Sequence, residues 1–319
     1  MPSFWGLRWV LSRIFHLGPV ALLATFFVFG MLYLVPGDPA ITLAGENATP
    51  QHIEDIRALY GLDRPVVVQY ADWLGHVAHG NLAVSLLSGE PVAGEIAHRL
   101  PNTLLIVAGA LGLSILIGVP LSIAAALQPG SRFDLWSMAI ASTGVSIPSF
   151  WLAMALVSVF ALGFHWFPAT GATSLSDGLG EALRHIVLPA VALSANGIAT
   201  IGRQLRVAFA DALAAPYVRT LRAKGLSRAA ILWKHCLKNV SVSLLTVIGL
   251  LANRLLGATI VIEIVFAIPG IGSMVVNAAI NKDFPVVQGV VLVTVAIVIA
   301  INMVVDGLCR LIDPRIARV

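Results

Sequence analysis

The chain has 319 residues, 58% of them hydrophobic and only 11% charged, with a mean hydropathy of +0.90. That composition excludes an ordinary soluble domain and points to a protein lying mostly in a membrane. The formal charge of +4 is no sign of nucleic-acid binding, because the positive residues collect beside apolar segments.

Arg8 and Arg13 precede the apolar run 17–35, which is long enough to span. It is expected to be a retained first transmembrane helix with a cytoplasmic N-terminus rather than a cleaved leader. Pro36, Gly37 and Pro39 end it. Residues 38–99 are the one substantial polar segment, with eight acids against three arginines, which suits the outer face. Within it, Thr49-Pro50 reads as the start of a short helix through Leu59, residues 61–65 as a turn and 66–79 as a second helix. His76 and His79 lie three apart there, but histidines in a wet outer loop are ordinary surface residues, and no metal site is expected.

A second span is expected over 104–127, then a polar turn over 128–134 and a third span over 135–162. The third holds Ser146-Ile147-Pro148-Ser149-Phe150-Trp151. A mid-membrane proline frees a carbonyl that a neighbouring helix or a cavity must satisfy, which makes Ser146 and Pro148 candidates for a translocation path. An outer loop over 163–184, with Phe164, Trp166 and Phe167 at interface depth, leads to a fourth span over 185–208. A fifth span over 240–266 carries Asn253, Arg254 and Glu263. Pro269-Gly270-Ile271-Gly272 then turns the chain at the outer face, and a sixth span over 284–308 returns it.

Between the fourth and fifth spans, residues 217–239 (YVRTLRAKGLSRAAILWKHCLKN) hold six of the chain's 20 Lys and Arg. Lys and Arg collect on the cytoplasmic side, so both termini and this loop are expected inside. Cys236 and Cys309 fall on that side, where thiols stay reduced and no disulfide is expected. Gly225 breaks a helical pattern, Ser227 can cap a new helix, and Leu226, Ala230, Trp233 and Leu237 repeat at helical spacing. Arg228, Lys234, His235 and Lys238 fall off that stripe. The pattern predicts two short helices around a glycine, with an amphipathic face offered to a partner.

The order YVRT-x-RAKGLS followed by KH-x-L-x-N resembles the conserved cytoplasmic loop of ABC importer permeases, in the form of the dipeptide/oligopeptide/nickel family. Leu221 and Cys236 stand where that family usually has alanine, and the Glu-Ala-Ala of the wider superfamily is absent. VPGDPA, GLDRPVVVQYADWL, SIPSFWL, EIVFAIPGIG, FPVVQGVV and the terminal DPR are similar to further segments of the family, in the same order.

The resemblance implies an all-α polytopic membrane protein with six transmembrane helices in the ABC importer type I permease fold. A small helical outer segment would lie between helices 1 and 2. The implied division is 1–37 for the cytoplasmic N-terminus and first helix, 38–99 for the extracytoplasmic segment, and 100–319 for the permease core with a coupling loop at 214–239. That loop would dock on an ATPase subunit through Arg222, Ala223, Lys224, Gly225, Leu226, Ser227, Ala230, Trp233, His235 and Leu237. The implied partners are a homologous second permease, two ATPase subunits, an extracytoplasmic solute-binding protein and the lipid bilayer. No G-x-x-x-x-G-K-[ST] occurs, so ATP and Mg²⁺ are expected on the ATPase subunits, with no catalytic residue, cofactor or metal in this chain.

The implied function is that of the membrane-spanning subunit of an ATP-driven, binding-protein-dependent importer in a bacterial inner membrane, for di- or oligopeptides or a related small solute. The alternative is an ion-coupled secondary transporter acting alone, a class marked by inverted repeats and acids deep in the spans. No repeat is visible, and Glu263 is the only acid well within an expected span.

Glu263 and Arg254 are nine residues apart, on nearly opposite helix faces and about 13 Å apart along the axis, so they are not a pair. Glu263 is expected to anchor a neighbouring helix or the following turn, making Glu263, Pro269, Gly270 and Gly272 an outer gate. Arg254 sits near mid-membrane, where the family usually carries small or neutral residues. It is expected to face the protein interior, lining the path with Asn253.

Overall fold

The computed structural model describes residues 18–19, 21–30, 39–45, 48–59, 61–173 and 178–313. Arg8, Arg13, the 36–38 helix end and the Pro-Arg of the terminal motif lie outside the described residues. The described chain is helical, with one isolated bridge between Val84 and Pro91. In order the helices are α1 (Ala21–Gly30), α2 (Pro39–Ala44), α3 (Pro50–Leu59), α4 (Val66–Ala78), α5 (Val92–Leu127) and α6 (Arg132–Ser146). There follow α7 (Ser149–Gly163), α8 (Leu179–Ala214), α9 (Pro216–Ala223), α10 (Arg228–Val265), α11 (Ile271–Ile280) and α12 (Phe284–Ile312).

Four of them, α5, α8, α10 and α12, are long and apolar enough to cross a membrane. The helices α3 and α4 start where the sequence placed them, and α3 also ends there. The second segment differs, because its helix begins at Val92 and runs straight through Pro101 rather than starting beyond it. The helix α11 was not foreseen.

The third expected span is corrected by the structure. Residues 135–162 are not one rod but the pair α6 and α7, bent by 95°. The cause is Pro148, which has no N–H to donate and forces its predecessor out of the helical region. Ile147 is accordingly extended, at φ −82° and ψ 120°. A seven-residue π-helical stretch, Val157–Gly163, closes α7.

The chain divides into two compact units, residues 1–100 with 274–300 and residues 101–273 with 301–319. In the first, Phe26 and Phe29 of α1 meet Tyr70 of α4 edge-on, and Phe29 also meets Trp73. The loop before α5 is fixed by Asp283, whose carboxylate accepts from Ser85 Oγ at 2.5 Å and Leu86 N at 3.2 Å.

In the second unit, α8 packs on α6, α7 and α10. Small residues allow that approach, as in membrane helix packing generally. A Cβ at Gly144 of α6 would lie 3.5 Å from Ala199 Cβ of α8, and one at Gly197 of α8 would lie 3.1 Å from Leu251 Cδ2 of α10. At the end of α5 the chain turns through Ser131, whose Oγ caps α6 by accepting from Asp134 N at 3.1 Å.

Candidate functional site

The basic loop folds as the spacing predicts, with a glycine turn between two helices. Pro216 opens α9 after an extended Ala215. At its end Gly225 adopts φ +82°, a left-handed conformation that disfavours any residue with a Cβ. Leu226 N donates to Leu221 O at 3.2 Å and Gly225 N to Arg222 O at 2.9 Å, a Schellman ending. Ser227 then caps the next helix, its Oγ accepting from Ala230 N at 3.2 Å. From Arg228 one helix runs to Val265, so the second half of the loop and the apolar helix after it form one rod of 38 residues, about 57 Å long.

The loop buries Val218, Ile231, Leu232 and Cys236, with Tyr217 OH 3.7 Å from Cys236 Sγ. Burial pushes the Tyr217 phenol above its usual range. A π-helical turn over Ile231–Cys236 sets this face, which a 3.6-residue period does not anticipate. The stripe read from sequence is left toward the outside: Trp233 is 60% exposed, and Leu226, Ala230 and Leu237 are half-buried. Arg222, Ala223, Lys224 and Ser227 are exposed and His235 is half-buried.

At the far end of α10, Glu263 is completely buried. Thr103 Oγ1 donates to its Oε1 at 2.6 Å, and Ser273 N donates to its Oε2 at 2.7 Å. Thr103 Oγ1 in turn accepts from Ile271 N at 3.0 Å, while Asn102 Nδ2 reaches Pro269 O at 2.9 Å. The two glycines of the turn press on this carboxylate. A Cβ at Gly270 would overlap Glu263, and one at Gly272 would come 2.9 Å from Oε2 and 2.8 Å from Ile260 Cα.

The middle of the rod is different. Asn253 Nδ2 donates to Asn302 Oδ1 of α12 at 2.9 Å, while Asn253 Oδ1 is buried without a partner among the described residues. Arg254 lies on the exposed side of α10. The buried face of α10 is filled by Leu251, Ala252, Leu255 and Leu256, one residue's rotation away. It has no ion-pair or hydrogen-bond partner among the described residues. Ser146 and Pro148 sit at the α6–α7 break, both exposed, with Ser146 Oγ donating to Ser142 O at 3.0 Å.

One feature the sequence reading missed is the pair Asp134–Arg206. Asp134 is only 1% exposed, and Arg206 grips it with Nε on Oδ1 at 2.6 Å and Nη2 on Oδ2 at 2.5 Å. Gly130 N adds a third donor at 2.9 Å. An acid in the first turn of α6 and an arginine near the end of α8 were the available signal, but 72 residues separate them.

Residues 118–318 match the family of binding-protein-dependent transport system inner membrane components, and residues 6–107 match the N-terminal part of the same membrane components. The chain is 36% identical to a dipeptide transport system permease protein of Alkalihalophilus pseudofirmus, over 97% of this chain and 99% of that one. It is 37% identical to a glutathione transport system permease protein of Salmonella typhimurium, again over 97% and 99%. Among solved structures, a chain of the MetNI methionine ABC transporter in inward-facing conformations superposes with a TM-score of 0.56 at 19% identity, covering 68% of this chain and 95% of that chain.

Proposed function

Because the chain belongs to the family of binding-protein-dependent transport system inner membrane components, and so is a multi-pass permease of an ABC importer, we propose that it moves small peptides inward together with separate ATPase subunits. The observation that carries the coupling is the glycine turn at Gly225 feeding one continuous helix from the basic loop to the outer end of the fifth span.

In this reading the assembly has this chain, a homologous second permease, two ATPase subunits and an extracytoplasmic solute-binding protein. ATP and Mg²⁺ belong to the ATPase subunits, and this chain carries no cofactor. The chain has six spans in the type I permease fold, with both termini inside. Residues 38–99 lie outside, and 214–239 dock on the ATPase. Closure of the ATPase subunits on one another displaces the loop from Arg222 to Leu237, and α10 carries that displacement as a rigid body. The glycine-packed Glu263 with Pro269, Gly270 and Gly272 acts as the outer gate, while Asn253, Arg254, Ser146 and Pro148 line the path. The dipeptide and glutathione relatives support a peptide solute.

The test is to purify the complete importer and screen di- and oligopeptides, glutathione-like peptides, nickel chelates and glycans with the binding protein for stimulated ATP hydrolysis. Stimulation by a peptide is expected. Uptake by this chain alone, driven by an ion gradient without ATP, would contradict the reading in favour of a secondary transporter.

A further inference from the structure

Beneath the basic loop lies a cavity of about 310 Å³. Two of its walls are the last turns of membrane-crossing helices, Ala126 and Leu127 of α5 and Leu213 and Ala214 of α8. The third comes from the loop helices and brings two cations, Arg222 of α9 and Arg228 at the start of α10. No acid lines the cavity, and neither guanidinium has an ion-pair or hydrogen-bond partner among the described residues.

Two unpaired guanidiniums over an apolar floor select a particular chemistry. Guanidinium forks match phosphate oxygens in charge and geometry. Alanine and leucine walls offer nothing to a small hydrated anion, but they suit the glycerol and first methylenes of an amphiphile. The inner ends of two spans also place the cavity at headgroup depth, where basic pockets between helices hold acidic lipids. We propose that this cavity binds the headgroup of an anionic phospholipid of the inner leaflet. The lipid would fill the space between the span ends and the loop. The loop would then push on the spans through a packed layer rather than across a gap, so acidic lipid would support coupling. The proposal rests on the orientation that puts the basic loop inside.

The assembled importer is reconstituted in phosphatidylcholine bilayers with and without phosphatidylglycerol, and the lipid it retains is read by native mass spectrometry. The wild type should retain phosphatidylglycerol over phosphatidylcholine by on the order of ten-fold or more. The Arg222→Gln/Arg228→Gln variant should show no preference. Equal retention of both lipids by the wild type, or an undiminished preference in the variant, overturns the proposal. Displacement of the lipid by millimolar inorganic phosphate would assign the site to a free anion and overturn it likewise. If the double variant does not assemble, a photoreactive side chain at Leu213 of the otherwise wild-type importer decides. Capture of phosphatidylglycerol in preference to phosphatidylcholine is expected, and equal capture refutes the site. Lipid retention needs no transported solute, so it fails separately from the import reading.

Discussion

At the C-terminal end of α10, Glu263 is wholly buried and its carboxylate is held by Thr103 and Ser273. Nine residues earlier on the same helix, Arg254 projects from the exposed face with no partner among the described residues, beside an Asn253 whose carbonyl oxygen is unsatisfied. The Asp134–Arg206 pair belongs with Glu263, because its carboxylate is buried and its donors come from the same chain. The contrast separates two uses of polarity in a membrane. Charges satisfied within the chain fix helices to one another. An arginine near the bilayer centre costs at least about 2.5 kcal/mol when set against lipid. One left without a partner among the described residues is therefore built to meet something beyond them, a second subunit, water or solute.

The largest effect should come from breaking an anchor. Asp134→Ala leaves Arg206 uncompensated and should lower stability by about 3–5 kcal/mol, read as thermal inactivation of the purified chain. The double variant Asp134→Ala/Arg206→Met should be less damaged than the single one. Glu263→Ala strands the Thr103 hydroxyl and the Ser273 amide, and a loss of about 2–4 kcal/mol is expected. A wild-type melting profile for Glu263→Ala would remove it from the anchors.

Gly225→Val places a β-branched side chain at φ +82°, with a local cost of about 1–2 kcal/mol. The chain should still insert, but solute-stimulated hydrolysis should be lost in the assembled importer. Normal stimulation would mean that the loop needs no glycine turn. The smallest effect on stability belongs to Arg254→Met, for which no change in melting is expected. Its consequence should be selective, with uptake of acidic peptides falling more than that of neutral ones. Failure of this variant to assemble would instead assign Arg254 to an acid on the second permease.

Much of this was legible in the sequence where a local rule decides. Gly225 and Ser227 announce a helix end and a helix start by backbone and capping chemistry, and both take those roles. Glu263 followed by Pro-Gly-x-Gly announced an anchor against a turn, because only glycines can sit against a buried carboxylate so closely. What depends on long-range partners was not legible. Apolar periodicity cannot show that the chain turns by 95° at Pro148, because it does not register where α6 and α7 each pack on α8. Nor could it show which side of α10 the rest of the chain would cover, where Asn253 and Leu255 pack and Arg254 does not. The Asp134–Arg206 pair was invisible for the same reason.

Cysteine accessibility along α10 in the assembled importer tests most directly whether the ends of this rod are anchored while its middle faces the path. Single cysteines would replace Leu250, Arg254, Gly257 and Val261 on the exposed face and Leu251, Leu255 and Ile262 on the buried face, in a chain with Cys236 and Cys309 replaced by alanine. A charged, membrane-impermeant thiol reagent is expected to modify cysteines at 254 and 257, with protection by transported solute and no reaction at the buried-face positions. Modification of the exposed face by membrane-soluble reagents alone would put Arg254 against lipid and contradict this expectation.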